Sequence, residues 1–137
     1  MKTLIVEDDL TSRLMLQKIL NPYGECHMAM NGKEAVDAFI IARMEKEPYD
    51  LICLDFMMPE MDGPEALRRI RKLEREYGIE ENDGVKILMV TIVGKPAQVI
   101  DAHRAGATAH MVKPIDQALL LRHLAEFGLL SPGSENA

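Results

Sequence analysis

Leu51-Ile52-Cys53-Leu54 is a short apolar run that ends abruptly in Asp55 and then in the turn-rich stretch Phe56-Met57-Met58-Pro59-Glu60-Met61-Asp62-Gly63. An apolar run of that length, bounded by turn signals, reads as a strand covered on both faces, which requires elements packed above and below it. Asp55 then stands at an exposed strand end. Taken alone, an Asp there is equally a turn former or a helix cap. The rest of the chain decides between that role and chemistry.

Taken in order, Thr3 to Val6 is a β-rich run that ends in Glu7, Asp8 and Asp9. Leu10 to Leu20 follows with Leu10, Leu14, Met15, Leu16, Ile19 and Leu20 at helical spacing, and Asn21-Pro22-Tyr23-Gly24 stops it. Cys26 to Met30 reads as a second strand. Asn31 with Glu34 three residues on has the pattern of a capping box, opening a helix to about Met44 with Ala35, Val36, Phe39 and Ile40 inward. After the central strand, Asp62-Gly63-Pro64-Glu65 opens a third helix with Leu67, Ile70 and Leu73 as its apolar stripe. Ile79 to Gly84 is polar and reads as a surface loop. Val85 to Val90 is a fourth strand ending at Thr91, and Pro96 to Ala105 a fourth helix. Ala109 to Val112 is a fifth strand ending at Lys113-Pro114. Asp116 caps a fifth helix to about Phe127, with Leu119, Leu120, Leu124 and Phe127 inward. Ser131 to Ala137 reads as a frayed tail.

Apolar strands alternating with amphipathic helices imply an α/β fold, a parallel sheet with right-handed crossovers and helices on both faces. The 137 residues suit one domain with no staple. The formal charge of −6 argues against a general nucleic-acid binder. Arg68, Arg69, Arg71, Lys72 and Arg75 cluster, but Glu65, Glu74 and Glu76 interleave with them, and the group reads as a solvated helix face. No apolar stretch approaches a membrane span, and no leader precedes the first strand, so the expected location is cytoplasmic. Cys26 and Cys53 have neither zinc nor redox spacing. His27, His103, His110 and His123 lack metal-ligand spacing, and no metal binding through histidine is expected.

In an open parallel sheet, ligands bind beyond the carboxyl ends of the strands. Glu7 and Asp8 stand there after the first strand, Asp55 after the third, Thr91 after the fourth and Lys113 after the fifth. Three carboxylates brought together repel unless a cation neutralises them. Mg2+ suits the set, with Asp8 and Asp55 as direct ligands and Glu7 acting through water. A carboxylate can also attack phosphorus and form an aspartyl phosphate. Lys113 would share the phosphoryl charge, and the Thr91 hydroxyl would donate to one of its oxygens.

These residues resemble the receiver domains of two-component response regulators, including the stand-alone chemotaxis regulator. The likeness covers about residues 1–128 and rests on Ile5-Val6-Glu7-Asp8-Asp9, Asp55 to Gly63, Met89-Val90-Thr91 and Val112-Lys113-Pro114. It implies a three-layer (βα)5 flavodoxin-like fold with a five-stranded parallel sheet of order 2-1-3-4-5. With that order Cys26 and Cys53 lie two strands, roughly 9 to 10 Å, apart and cannot form a disulfide. The resemblance makes Asp55 the phosphoacceptor, Glu7 and Asp8 the acidic pair, Thr91 the switch hydroxyl and Lys113 the site lysine. The Met57 backbone carbonyl becomes a further Mg2+ ligand. Phosphate would come from a sensor histidine kinase or a histidine phosphotransfer protein. Output would pass to a downstream target or a second copy through the helix 4, strand 5, helix 5 face, including Val99, His103, His110 and Met111. Residues 129–137 are expected to be a short flexible tail with no output domain.

The chain departs from the family pattern in places. His110 stands where an aromatic half of the switch is usual and is expected to couple to Thr91. Ile92 is bulkier than the usual neighbour of the switch threonine, which either narrows the approach to Asp55 or extends the strand's packing. Met57 and Val93 are apolar where related receivers often orient a water, which predicts slow loss of phosphate. The rival readings are a pseudo-receiver scaffold and an aspartyl-phosphate phosphohydrolase. The intact set Asp8, Asp55, Thr91 and Lys113 opposes the first, and Met57 in place of a second acid opposes the second.

Overall fold

The computed structural model describes residues 1–92 and 96–131; Val93 and residues 132–137, for which the sequence raised expectations, lie outside them. Its strands are β1 (Thr3–Val6), β2 (Cys26–Ala29), β3 (Leu51–Asp55), β4 (Lys86–Thr91) and β5 (Ala109–Val112). The helices α1 (Leu10–Leu20), α2 (Gly32–Met44), α3 (Gly63–Glu76), α4 (Pro96–Ala105) and α5 (Gln117–Glu126) alternate with them. All strand pairs are parallel and the order is β2-β1-β3-β4-β5, the flavodoxin-like order expected. Cys26 and Cys53 are free, on strands separated by β1.

The side-chain alternation of a strand splits the interior into two cores, one on each sheet face. Leu4, Val6, Ile52, Leu54, Ile87 and Met89 pack with α2, α3 and α4. Ile5, Leu51, Cys53, Leu88, Val90 and Met111 pack with α1 and α5. Met111 therefore faces inward and does not join the surface assigned to it from the sequence. Its neighbour His110, one step along the strand, has the opposite register, toward α4.

Helix starts are set by short acceptors. Asp9, Asn31, Asp62 and Asp116 accept from the backbone N–H three residues on, at 3.0, 2.9, 2.9 and 3.2 Å. The expected capping box at Asn31 is only half present. Glu34 accepts instead from the Met30 N–H at 3.1 Å, which draws that group out of the ladder and ends β2 at Ala29. In α1 only Leu16, Ile19 and Leu20 are buried, while Leu10, Leu14 and Met15 are exposed. One helix resting on one sheet face buries a single stripe, and this helix carries apolar residues around more than that. Leu129 and Leu130, assigned to the tail, pack against the α1/α5 core, and the Leu129 N–H donates to Leu124 at 2.9 Å. Glu81–Asp83 forms a single 3-10 turn inside the expected loop. No described helix is long and apolar enough to cross a membrane.

The basic stretch of α3 is only partly a solvated face. Half-buried Arg71 and buried Glu74 form a pair at 2.6 Å. Arg71 also donates to the Gly106 carbonyl at 2.9 Å, and Glu74 accepts the Val85 N–H at 2.7 Å. That bond takes Val85 out of the sheet, so β4 begins at Lys86. It also ties α3 to the entry of β4 and to the turn after α4. Glu74→Leu strands the Arg71 charge and the Val85 donor and is expected to cost about 3–5 kcal/mol in urea unfolding. Adding Arg71→Met to it should recover part of that loss; a further loss of similar size would show that the pair is not what the first variant removes.

Candidate functional site

Parallel register sets the rim of the sheet. Val6 pairs with Leu54, Asp55 with Val90, and Thr91 with Val112, so Glu7, Asp55, Thr91 and Lys113 arrive together at the carboxyl ends. Period two separates them further. Glu7, Asp55 and Lys113 continue the alternation of Ile5, Cys53 and Met111, while Thr91 continues that of Met89 on the opposite face. Three of the groups share one side, and the hydroxyl stands at its boundary.

Glu7 is fully buried and Asp55 is 6% exposed, whereas Asp8 is open to solvent. The Lys113 ammonium lies 2.9 Å from Glu7 Oε2 and 3.5 Å from Asp55 Oδ1. The first contact is an ion pair between the ammonium and a fully buried carboxylate. Glu7 Oε1 accepts the Asp9 N–H at 3.1 Å, and Arg13 donates to the Glu7 carbonyl at 3.3 Å. Asp9, read from the sequence only as a third acid, is the cap that starts α1 behind the site. Burial first, then a hydrogen bond with Glu7 and the Glu7 charge, push the Asp55 carboxyl up to about 7, with Lys113 pulling the other way. Burial opposes the charge on Lys113, but the hydrogen bond and charge of Glu7 together with the charge of Asp55 outweigh it, and its pKa is raised.

One carboxylate oxygen from each of Glu7, Asp8 and Asp55 falls within 4.8 Å of the others. A hard divalent cation binds oxygens at about 2.0–2.1 Å in an octahedron, and this hard-donor cluster suits it after a small closure. Asp8, Asp55, Thr91 and Lys113 line a cleft of about 700 Å3 with Asp9, Phe56, Met57, Ile92 and Gln98. Met57 and Ile92 are 72% and 70% exposed, so both side chains stand at the mouth and Ile92 is turned to solvent rather than packed over the cleft floor. Gly63 is explained by proximity. A Cβ there would run into the Asp55 carbonyl, and the Gly63 N–H donates to Phe56 at 3.0 Å, pinning the start of α3 under the acid.

His110 lines a small void with Phe56, Met89, Thr91, Gln98, Val99 and Ala102, so the ring and the Thr91 side chain border the same space. Its Nδ1 lies 3.3 Å from His103 Nε2 on α4.

Fold and cleft together define a doubly wound α/β protein with an acidic, lysine-bearing pocket at the carboxyl edge of its sheet. The chain belongs to the response regulator receiver domain family, which matches residues 3–125. Two probable histidine kinases of Oryza sativa are 37% identical over 127 residues, 85% of this chain, which spans only 12% of their length. The chemotaxis protein CheY of Thermotoga maritima is 33% identical over 125 residues, covering 90% of this chain and 93% of that protein. Among solved structures, the receiver domain of a Saccharomyces cerevisiae response regulator, co-crystallised with a histidine phosphotransfer signalling protein, has a TM-score of 0.82 at 25% identity. It covers 100% of this chain and 97% of that one. The receiver domain of an Arabidopsis thaliana histidine kinase, complexed with Mg2+ and BeF3−, has a TM-score of 0.75 at 29% identity and covers 91% of this chain and 89% of that one.

The raised Asp55 pKa has a stability consequence. The folded protein holds a proton that the unfolded chain releases near the ordinary value of 3.8, so this contribution is present at low pH and is lost as pH rises through about 7. In metal-free buffer Asp55→Asn should therefore be more stable than the wild type at pH 8, by up to about 4 kcal/mol, with the difference shrinking toward pH 5. Thermal unfolding in a chelator across that range checks it. A constant difference would mean that Asp55 is ionised throughout.

Proposed function

We propose that this chain is a two-component phosphorylation switch in which Asp55 accepts a phosphoryl group from a phosphohistidine. The carrying observation is a nearly buried Asp55 with Lys113 3.5 Å away at the base of an open cleft. An ionised Asp55 oxygen attacks phosphorus; the new P–O bond forms as the P–N bond breaks, and the electron pair stays on the donor's imidazole nitrogen, which takes up a proton. Lys113 holds its charge against the phosphoryl oxygens, and Thr91 donates its hydroxyl to one of them. Mg2+, held by Asp8, Asp55 and the Met57 backbone carbonyl and by Glu7 through water, would neutralise the remaining phosphoryl charge.

The exposed stripe Leu10, Leu14 and Met15 on α1 lies beside the cleft that Asp9 lines, and it is the surface we assign to the kinase or phosphotransfer donor. Thr91 shares a void with His110 and Val99, so its movement would bias the α4, β5, α5 face toward a target or a second copy. Neither direct nucleic-acid binding nor membrane insertion is part of this reading, and a cytoplasmic location is. The switch does no other chemistry than gaining and losing its own phosphate. The exposed thioether of Met57 offers no oxygen to orient a water, so that loss is slow.

Intact-mass measurement after incubation with Mg2+ and a small acyl phosphate should show one added phosphate, absent in Asp55→Asn and in chelator. No addition under any condition would favour a binding scaffold, and repeated turnover of a phosphoester would favour a hydrolase. Met57→Asn should shorten the phosphoprotein half-life several-fold. Leu14→Asp should slow transfer from a protein donor by about tenfold while leaving acyl-phosphate labelling unchanged; equal effects on both donors would remove α1 as the docking surface.

A further inference from the structure

The sequence spacing of the histidines carries no metal motif, yet the fold brings two of them together. His103, near the end of α4, and His110, in edge strand β5, face each other with Nε2 and Nδ1 3.3 Å apart. Their rings are nearly perpendicular, at 87°, with centroids 5.5 Å apart. Two imidazole nitrogens bound to one tetrahedral ion at about 2.0–2.1 Å are separated by about 3.3–3.4 Å. The observed spacing already equals that edge.

We infer that His103 and His110 form a binding site for a borderline transition-metal cation of the zinc class, bridging α4 to β5 and distinct from the acidic cleft. Imidazole selects Zn2+, Ni2+ or Cu2+, whereas the carboxylate cluster at Glu7, Asp8 and Asp55 suits hard ions. The two sites are therefore chemically separable. Without metal the pair shares one proton in an N–H···N bond; on binding, that proton passes through solvent to the far nitrogen of the donor ring, and the ion takes its place after a small rotation of the rings. His103 is exposed, so water completes the coordination, while half-buried His110 is held by the packing around Thr91 and Val99. Burial, and then the charges of His103 and His123, lower the His110 pKa and keep its ring available as a ligand near neutral pH. The bridge fixes α4 against the edge strand whether or not Asp55 is phosphorylated, and the site does not rest on the switch reading.

Tag-free protein titrated with Zn2+ by calorimetry at pH 7.5, with excess Mg2+ present and in the Asp55→Asn background, tests this without interference from the cleft. One equivalent of Zn2+ should bind, with affinity about tenfold or more weaker in His103→Ala and in His110→Gln and unchanged in His27→Gln. Ring 15N shifts should change at His103 Nε2 and His110 Nδ1 on saturation, a readout in the wild-type protein that does not depend on either variant folding. Absence of binding, or equal affinity in wild type and both variants, would reduce the contact to an imidazole hydrogen bond and overturn the site.

Discussion

The contact of Lys113 with Glu7 and Asp55 is the constraint on which this end of the molecule depends. Burying a carboxylate costs several kcal/mol unless a partner compensates it, and here two acids lie inside the fold with one ammonium between them. The consequences run backward through the chain. The register of three strands must be correct to within one residue for the partners to meet, since a slip of one would turn each to the other sheet face. The apolar runs that bury β1 and β3 on both sides set that register, so the core and the site are specified by the same residues.

Much of this was legible in the sequence because period and punctuation report it directly. Strand ends followed by Glu7, Asp55, Thr91 and Lys113, and caps at Asn31, Asp62 and Asp116, are local signals, and parallel topology follows from alternation. What escaped depends on distance in the fold. Arg71 and Glu74 look like a charged helix face until the turn at Gly106 and the start of β4 close over them. Leu10, Leu14 and Met15 have helical spacing, but spacing does not say which stripe the sheet covers. Met111 and His110 are adjacent in sequence and face opposite ways, a matter of strand parity that needs the observed register. Leu129 and Leu130 stand between the helix-ending Gly128 and a polar run, and their packing against the α1/α5 core depends on the path the chain takes after the fifth helix.

The division of the rim by parity bears on how a local charge change could be felt elsewhere. Glu7, Asp55 and Lys113 lie on the α1/α5 side, and Thr91 continues the side that faces α4. Thr91, with Phe56 and Gln98, is common to the cleft and to the void that His110 lines. A group that touches both volumes can answer events in one by moving out of the other. The void beside it is small and lined by Phe56, Met89 and Ala102, so displacement there must be taken up by side chains that have room, and His110, turned toward solvent through His103, is the one with an exposed neighbour.

Charge accounting shows why such a displacement would be forced. At rest three carboxylates face one ammonium, and the high Asp55 pKa registers the excess. A phosphoryl group adds about −1.5 to −2 in place of the Asp55 charge and brings further acceptor oxygens into a pocket whose only described cation is already committed to Glu7. Lys113 divides its three N–H donors between Glu7 and the new oxygens, and a divalent ion on the acids relieves the repulsion but supplies no hydrogen-bond donor. Two side-chain donors line both the cleft and the void, the Gln98 amide on α4 and, at the strand end next to Asp55, the Thr91 hydroxyl. Drawing the Thr91 hydroxyl toward a phosphorylated Asp55 would satisfy an oxygen and shift the packing around His110 in the same movement, so the electrostatics of one sheet face would become the geometry of the other.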